Sequence, residues 1–243
     1  MTETSTLYGR LIVDSRDALF AGAVTLISRE QAKKRSTPFT LALSGGSTPK
    51  DWFHWAVANK AFPRELIDQT YFTVSDERLV PQESDDSNFG SAERLLLNPL
   101  SVPGNRRLPW AVSKSAVEAA EAYRDRWATL GIGKDSYSVC MLGLGDDAHT
   151  ASFFPGSRLL ENDGGESFTA IETASKGWRL TITPTGLRTC GSIIVMALGK
   201  AKAPALKRVM IGEEEWSAVP AKILSTASDR VTWLVDEEAA SEL

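Results

Sequence analysis

The sequence predicts an α/β fold: a doubly wound, mainly parallel sheet with helices on both faces. Three observations predict it. Short apolar runs, several of them β-branched, alternate along the chain with longer segments of helical periodicity. Several of those runs end directly in glycine-containing or charged turns, the pattern of a strand handing over to a helix. At 243 residues and 42% hydrophobic, the chain can bury a full core without disulfides or metal. The regular alternation favours one Rossmann-like domain over residues 1–243.

Leu11-Ile12-Val13 reads as the first strand. Asp14 or Ser15 can cap a helix from Arg16 to about Lys34, where Leu19, Ala23, Leu26 and Ile27 recur at helical spacing. Lys33, Lys34 and Arg35 crowd its carboxyl end, a solvated helix terminus that suits the dipole. Pro38 breaks the helix, and Phe39–Leu43 is a second strand. It runs into Ser44-Gly45-Gly46-Ser47-Thr48-Pro49, with Thr48 or Ser47 as the cap of a helix from about Lys50 to Asn59. A strand, a glycine turn and a helix N-terminus offer free N–H groups and the positive end of a dipole to an anion. A plain tight turn is the competing reading. The segment has neither the Walker A lysine nor the GxGxxG spacing, so it does not indicate a nucleotide.

Tyr71–Val74 is a third strand, ending in Ser75-Asp76-Glu77-Arg78. Arg78 can hold phosphate in a bidentate fork, or pair with Asp76 or Glu77 at the surface. The polar stretch 81–87 reads as a rim or lid, followed by a helix from Phe89 to Leu97. Residues 98–110 are irregular. Ser113 or Ser115 opens a long helix to about Leu130, stopped by Gly131 and Gly133.

Tyr137–Leu142 is a buried strand that runs into Gly143-Leu144-Gly145-Asp146-Asp147-Ala148-His149. Open α/β sheets place ligands at such carboxyl ends. A neutral His149 can take a proton from water, and Asp147, two positions away, can orient it; a loop histidine capping a helix near Thr150 is the alternative. Phe168–Thr173 and Trp178–Thr183 are two further strands, the second carrying Arg179. Ile193–Leu198 ends in Gly199-Lys200-Ala201 ahead of a helix from Lys202 to Met210. A cation at that helix start opposes the dipole unless an anion lies between, so Lys200 meets a ligand or is a flexible solvent-facing lysine. Pro220–Leu224 is a helical turn and Val231–Val235 a last strand, with a frayed acidic tail from Asp236 to Leu243.

Composition narrows the partners. Lys and Arg total 27 against 31 Asp and Glu, so the chain has no general attraction for nucleic acid or an anionic membrane. An anionic ligand must then be held by a local cluster of cations. Cys140 and Cys190 lie in apolar runs without metal spacing, and the two histidines, His54 and His149, are dispersed. Neither a metal nor another cofactor is expected. No signal-type or membrane-spanning apolar segment is visible, and the expectation is a soluble cytoplasmic protein, a monomer or weak homodimer. Four strand ends, at Ser44–Thr48, Asp76–Arg78, Asp147–His149 and Gly199-Lys200, should share one sheet edge. Together they suit a phosphorylated small molecule.

These residues resemble the 6-phosphogluconolactonase family, within the wider sugar-phosphate isomerase/deaminase-like superfamily. The resemblance is collinear over most of the chain. It rests on Leu43–Pro49, on Ser75–Arg78 with Ser87-Asn88, on Gly143–Pro155, on Arg179-Leu180-Thr181 and on Gly199-Lys200-Ala201. The His149-Thr150-Ala151-Ser152-Phe153-Phe154-Pro155 stretch is the part most specific to the lactonases. The resemblance implies hydrolysis of 6-phospho-D-glucono-1,5-lactone, with His149 as general base oriented by Asp147. It further implies that Arg78 and Lys200 grip the phosphate with the Ser44, Gly45, Gly46, Ser47 and Thr48 turn, and that Arg179 binds phosphate or ring hydroxyls.

The chain departs from the family pattern twice. Ala148 stands where the family has glycine, and Arg188 where it has asparagine. Glucosamine-6-phosphate deaminases share the glycine turn but carry a glutamate where Phe154 stands, and an apolar ring moves no protons. A non-catalytic sugar-phosphate sensor is the reading from another class; the basic helix-turn-helix-like segment expected of such a regulator is not visible in the sequence.

Overall fold

In the computed structural model, residues 1–33, 38–131, 136–173 and 176–243 are described. Lys34, Arg35 and the expected helix stop at Gly133 lie outside them. β1 (Thr2–Thr6) contains no apolar residue and so gives no burial pattern in the sequence; it pairs antiparallel with β2 (Gly9–Val13). α1 (Arg16–Lys33) turns Leu19, Phe20, Ala23, Val24 and Ile27 inward. β3 (Phe39–Leu43), buried at every position, leads into α2 (Ser47–Ala58). α3 (Arg64–Gln69), β4 (Thr70–Val74) and the short β5 (Asp76–Arg78) follow.

α4 (Asn88–Ala92) widens into a π-helical turn over Glu93–Leu97, so the helix expected there is two segments. α5 (Ala116–Thr129) opens on a reciprocal capping box between Ser115 and Glu118 and stops before Gly131, whose φ is 68°. Then come β6 (Val139–Gly143), β7 (Phe168–Thr173), β8 (Gly177–Ile182), α6 (Pro184–Arg188), β9 (Ser192–Ala197), α7 (Ala203–Met210) and β10 (Val231–Val235).

The main sheet has the order β1-β2-β10-β9-β6-β3-β4 and is parallel apart from the β1–β2 pair. From β3 the chain proceeds outward to β4; from β6 it proceeds the other way, to β9 and then β10. Right-handed crossovers running in opposite directions place helices on opposite faces. The reversal falls between the neighbours β3 and β6. That is the crevice where doubly wound sheets bind ligands.

The strands expected at 168–173 and 178–183 do not join the main sheet. β8 lies between β5 and β7 in a separate antiparallel sheet of three. An aromatic cluster fastens it to α5: Tyr123 stacks on Trp110 at 3.7 Å, and Phe168 of β7 meets Tyr123 edge-on at 5.0 Å. Trp52 and Phe53 are core side chains, whereas the neighbouring His54 is exposed.

The acidic tail is packed rather than frayed. Ala239 is buried, and both Asp236 carboxylate oxygens accept from the Gly199 N–H at 2.9 Å. Among the described residues no helix is long and apolar enough to cross a membrane.

Candidate active site

Register brings the strand ends together. Leu43 pairs with Val74, and Gly143 with Met196, so the turns that follow emerge at one edge. A cleft of about 390 Å³ opens there, at the β3–β6 switch. Ser44, Gly45, Gly46, Ser47, Arg78, His149 and Arg179, all proposed from sequence, line it. Asp76, at one of the expected strand ends, and Asn88 and Phe154, from the motifs that carry the resemblance, line it too, together with Lys176 and Lys202, to which no sequence signal points. Four cationic side chains therefore face Asp76 as the lining carboxylate. The chain is acidic overall, and the cleft is positive.

The first wall is the β3–α2 turn. α2 begins at Ser47, three residues earlier than expected, with Gly46 in the capping position at φ 103° and no side-chain cap. Neither Ser47 nor Thr48 caps it, and Thr48 lies outside the lining. Its first N–H groups have no helical carbonyl to bond and stand available beside Gly45–Ser47. A Cβ on Gly45 would sit 1.9 Å from Asn88 Oδ1, so glycine is required for the turn to lie against Asn88.

The second wall is built by β5 and β8. Strand alternation points Asp76 and Arg78 towards the cleft and Glu77 away from it. Glu77 is buried and accepts from the Asn88 and Phe89 N–H groups at 2.7 and 2.8 Å, fixing β5 to the start of α4. Burial pushes its pKa up, and these hydrogen bonds only partly offset the rise. The Arg78 N–H donates to Glu77 Oε1 at 2.9 Å, while its guanidinium turns away and Nη1 donates to the Asp86 carbonyl on the 81–87 rim. Asp76 accepts from Ser152 Oγ at 2.8 Å.

Arg179 stands opposite Arg78 in the register and donates to the Lys176 and Trp178 carbonyls. Burial, then the neighbouring charge of Arg78, pulls its pKa below the usual guanidinium value. Among the described residues neither arginine has a carboxylate within ion-pair distance.

The third wall is the loop after β6. Nδ1 of His149 lies 2.5 Å from Asp147 Oδ1, which also accepts the His149 N–H at 3.0 Å. Burial alone would raise the pKa of Asp147, but the hydrogen bonds and charge of His149, with Lys176 beside them, hold it below the ordinary value. An ionised Asp147 favours the tautomer protonated at Nδ1, in which the lone pair is on Nε2. Asp147 itself is outside the lining, behind the ring.

A Cβ on Gly145 would fall 1.9 Å from Nδ1, so that glycine makes room for the imidazole. The loop closes through Gly145 N–H to His149 O at 2.8 Å and Ala148 N–H to Gly145 O at 2.9 Å. Ala148 is buried in the left-handed region at φ 62°, a conformation that glycine adopts without a Cβ penalty. Phe154 lies 4.6 Å from the His149 ring, and Lys176 Nζ sits 4.2 Å from the Phe154 centroid and 3.9 Å from Asp147 Oδ2.

Lys200 does not reach the cleft; Lys202 does. Gly199, at φ 89°, starts a 3₁₀ turn over Lys200–Lys202, and α7 begins only at Ala203. The residue at the helix start is thus Lys202, and Lys200 is exposed two residues earlier. Arg188 is also away from the cleft, bonded to Thr185 and 3.9 Å from Asp163. Among the described residues no three His, Cys, Asp or Glu side chains are grouped to hold a metal ion.

Fold and cleft together define a doubly wound α/β protein with a cationic cleft at its switch point, lined by an imidazole that a carboxylate holds from behind. Residues 14–233 match the model of the glucosamine-6-phosphate isomerases/6-phosphogluconolactonase family, and the chain belongs to that family. It is 30% identical to the 6-phosphogluconolactonase of Nostoc sp. over 96% of this chain and 97% of that protein. It is 34% identical to that of Rattus norvegicus over 83% and 79%. The 6-phosphogluconolactonase structure from Trypanosoma brucei superposes with a TM-score of 0.81 at 28% identity, covering both chains in full (100% each). A monomeric glucosamine-6-phosphate deaminase, 17% identical, superposes with a TM-score of 0.76 over 96% of this chain and 99% of that one. The fold alone therefore does not separate the two chemistries.

Proposed function

We propose that the protein hydrolyses 6-phospho-D-glucono-1,5-lactone to 6-phosphogluconate, with His149 as the general base. The observation that carries this reading is the His149 ring, held by Asp147 at Nδ1 and lining the same cleft as four cationic side chains. Arg78, Arg179, Lys202 and the α2 N-terminus would hold the phosphate and orient the ring.

Nε2 then removes a proton from water as its oxygen bonds to the lactone carbonyl carbon, giving a tetrahedral oxyanion. Collapse of that intermediate breaks the bond from the carbonyl carbon to the ring oxygen. The imidazolium returns its proton to that oxygen, which becomes a hydroxyl, and the new carboxylic acid ionises. Asp147 stabilises the imidazolium between the two transfers. General acid–base help of this kind supplies on the order of 10² to 10⁴-fold. A lactone ester is reactive enough for that to be an adequate share.

Phe154 supports hydrolysis over deamination, because its ring beside His149 carries no proton to move. The test is the enzymatic ring-opening rate, measured above the spontaneous one. The wild type should open the lactone and release no ammonia from glucosamine 6-phosphate, and His149→Ala should lose at least a hundredfold in rate, roughly the lower bound for general-base catalysis. Activity in His149→Ala within a few-fold of wild type removes the imidazole from the reaction.

A further inference from the structure

Asp146 has no part in the chemistry above, yet its Oδ1 lies 2.6 Å from Nζ of Lys202. The partners are unequally placed: the lysine side chain is 21% exposed and the carboxylate 78%. Lys202 leaves a backbone turn that is itself pinned, since Lys202 N–H bonds Gly199 O and Asp236 holds Gly199 N–H. Asp146 rides on the loop that carries His149. The ion pair thus joins two walls of the cleft at its rim.

The other cleft cations are differently committed. Arg78 and Arg179 donate to backbone carbonyls, and Lys176 lies 3.9 Å from Asp147, which is already bonded to His149. Lys202 alone among these four has a carboxylate within hydrogen-bonding distance among the described residues. An exposed pair of this kind adds little to folding stability. Its effect falls on the anion that needs the same ammonium. An incoming phosphate either displaces Asp146 from Lys202 or lies beside it, and in both cases the carboxylate subtracts from the attraction.

We infer that Asp146 is a specificity-setting residue: it partly neutralises Lys202 in the empty cleft, so that an anion is held firmly only when it also engages the arginines. The inference rests on the reading of the cleft as a phosphate site. It bears most on the product. Hydrolysis converts an uncharged ring ester into a carboxylate, so the product carries one more negative charge than the substrate. A fixed carboxylate at the rim repels it more.

Calorimetric titration with inorganic phosphate and with 6-phosphogluconate tests this in the wild type, Asp146→Asn, Asp146→Glu, Lys202→Met and the Asp146→Asn/Lys202→Met double variant. Asp146→Asn should bind both ligands about three- to tenfold more tightly, the product more than phosphate. Its KM should fall without a matching rise in kcat. Asp146→Glu restores the pair and should stay within about twofold of wild type. In the Lys202→Met background the gain should vanish. Unchanged or weaker binding by Asp146→Asn overturns the inference, as does an equal gain without Lys202. If Lys202→Met binds phosphate as well as the wild type does, the failure lies in the phosphate reading of the cleft instead.

Discussion

Arg78 and Arg179 are directly opposed cross-strand partners between β5 and β8, two like charges held side by side at the wall of the cleft. Such a pair costs up to about 1 kcal/mol, and an anion placed between the guanidiniums relieves it. Arg179→Met should therefore raise the melting temperature of the ligand-free protein by roughly 2–4 °C. It should also lose most of the increment that phosphate gives the wild type. Melting curves with and without phosphate decide the matter; a variant that melts lower and keeps its increment would disprove the relation.

Asp147→Asn keeps the size of the side chain and removes the charge that fixes the imidazole. With Nδ1 no longer held protonated, Nε2 loses its lone pair in part of the population. The expected result is a fall in kcat on the order of 10² or more, with phosphate affinity unchanged. Steady-state kinetics beside phosphate titration separates that outcome from a general loss of the site.

Ala148 tests the loop backbone. At φ 62° and fully buried, it tolerates glycine with a stability change under about 1 kcal/mol, because relief of the left-handed strain offsets the added chain entropy. Ala148→Val puts a β-branched side chain in the same conformation and should cost about 2 kcal/mol or more, with loss of activity. Denaturant unfolding of both variants gives the comparison.

Asp163 predicts an acid dependence of stability. It accepts from Thr185 N–H at 2.6 Å and Gly165 N–H at 3.0 Å, with Arg188 nearby. Burial works the other way, but these partners hold its pKa below the usual carboxylate value. Its contribution is then full above the unfolded-state pKa of about 3.9 and is lost as pH falls through the lower folded value. Melting temperatures of the wild type and Asp163→Asn should differ most above about pH 5 and converge in stronger acid.

Local signals carried the sequence reading a long way. β3, β6, β9 and β10 are apolar runs that any burial argument finds, and the glycine turns after β3 and β6 mark the switch point from a few residues each. Non-local pairing hid the rest. Nothing near Phe168 or Trp178 says that these strands leave the main sheet for β5; the resemblance brings Arg179 to the site, but no local signal adds Lys176 beside it. Asn88 is in the lining because it packs on Gly45, a contact across 43 positions. The sequence points to Lys200, whereas Lys202 lines the cleft, because a 3₁₀ turn over Lys200–Lys202 delays the start of α7 to Ala203. The tail looked frayed because its acidic composition hides one carboxylate with a backbone partner.

The separate three-stranded sheet has a consequence for how this architecture can diversify. Arg179 of β8 and Lys176, just before that strand, line the cleft from this sheet, while the His149 imidazole belongs to a loop of the main sheet. On the proposed reading, part of the substrate grip therefore sits on an appended sheet that can be rewritten while the loop carrying His149 is left intact.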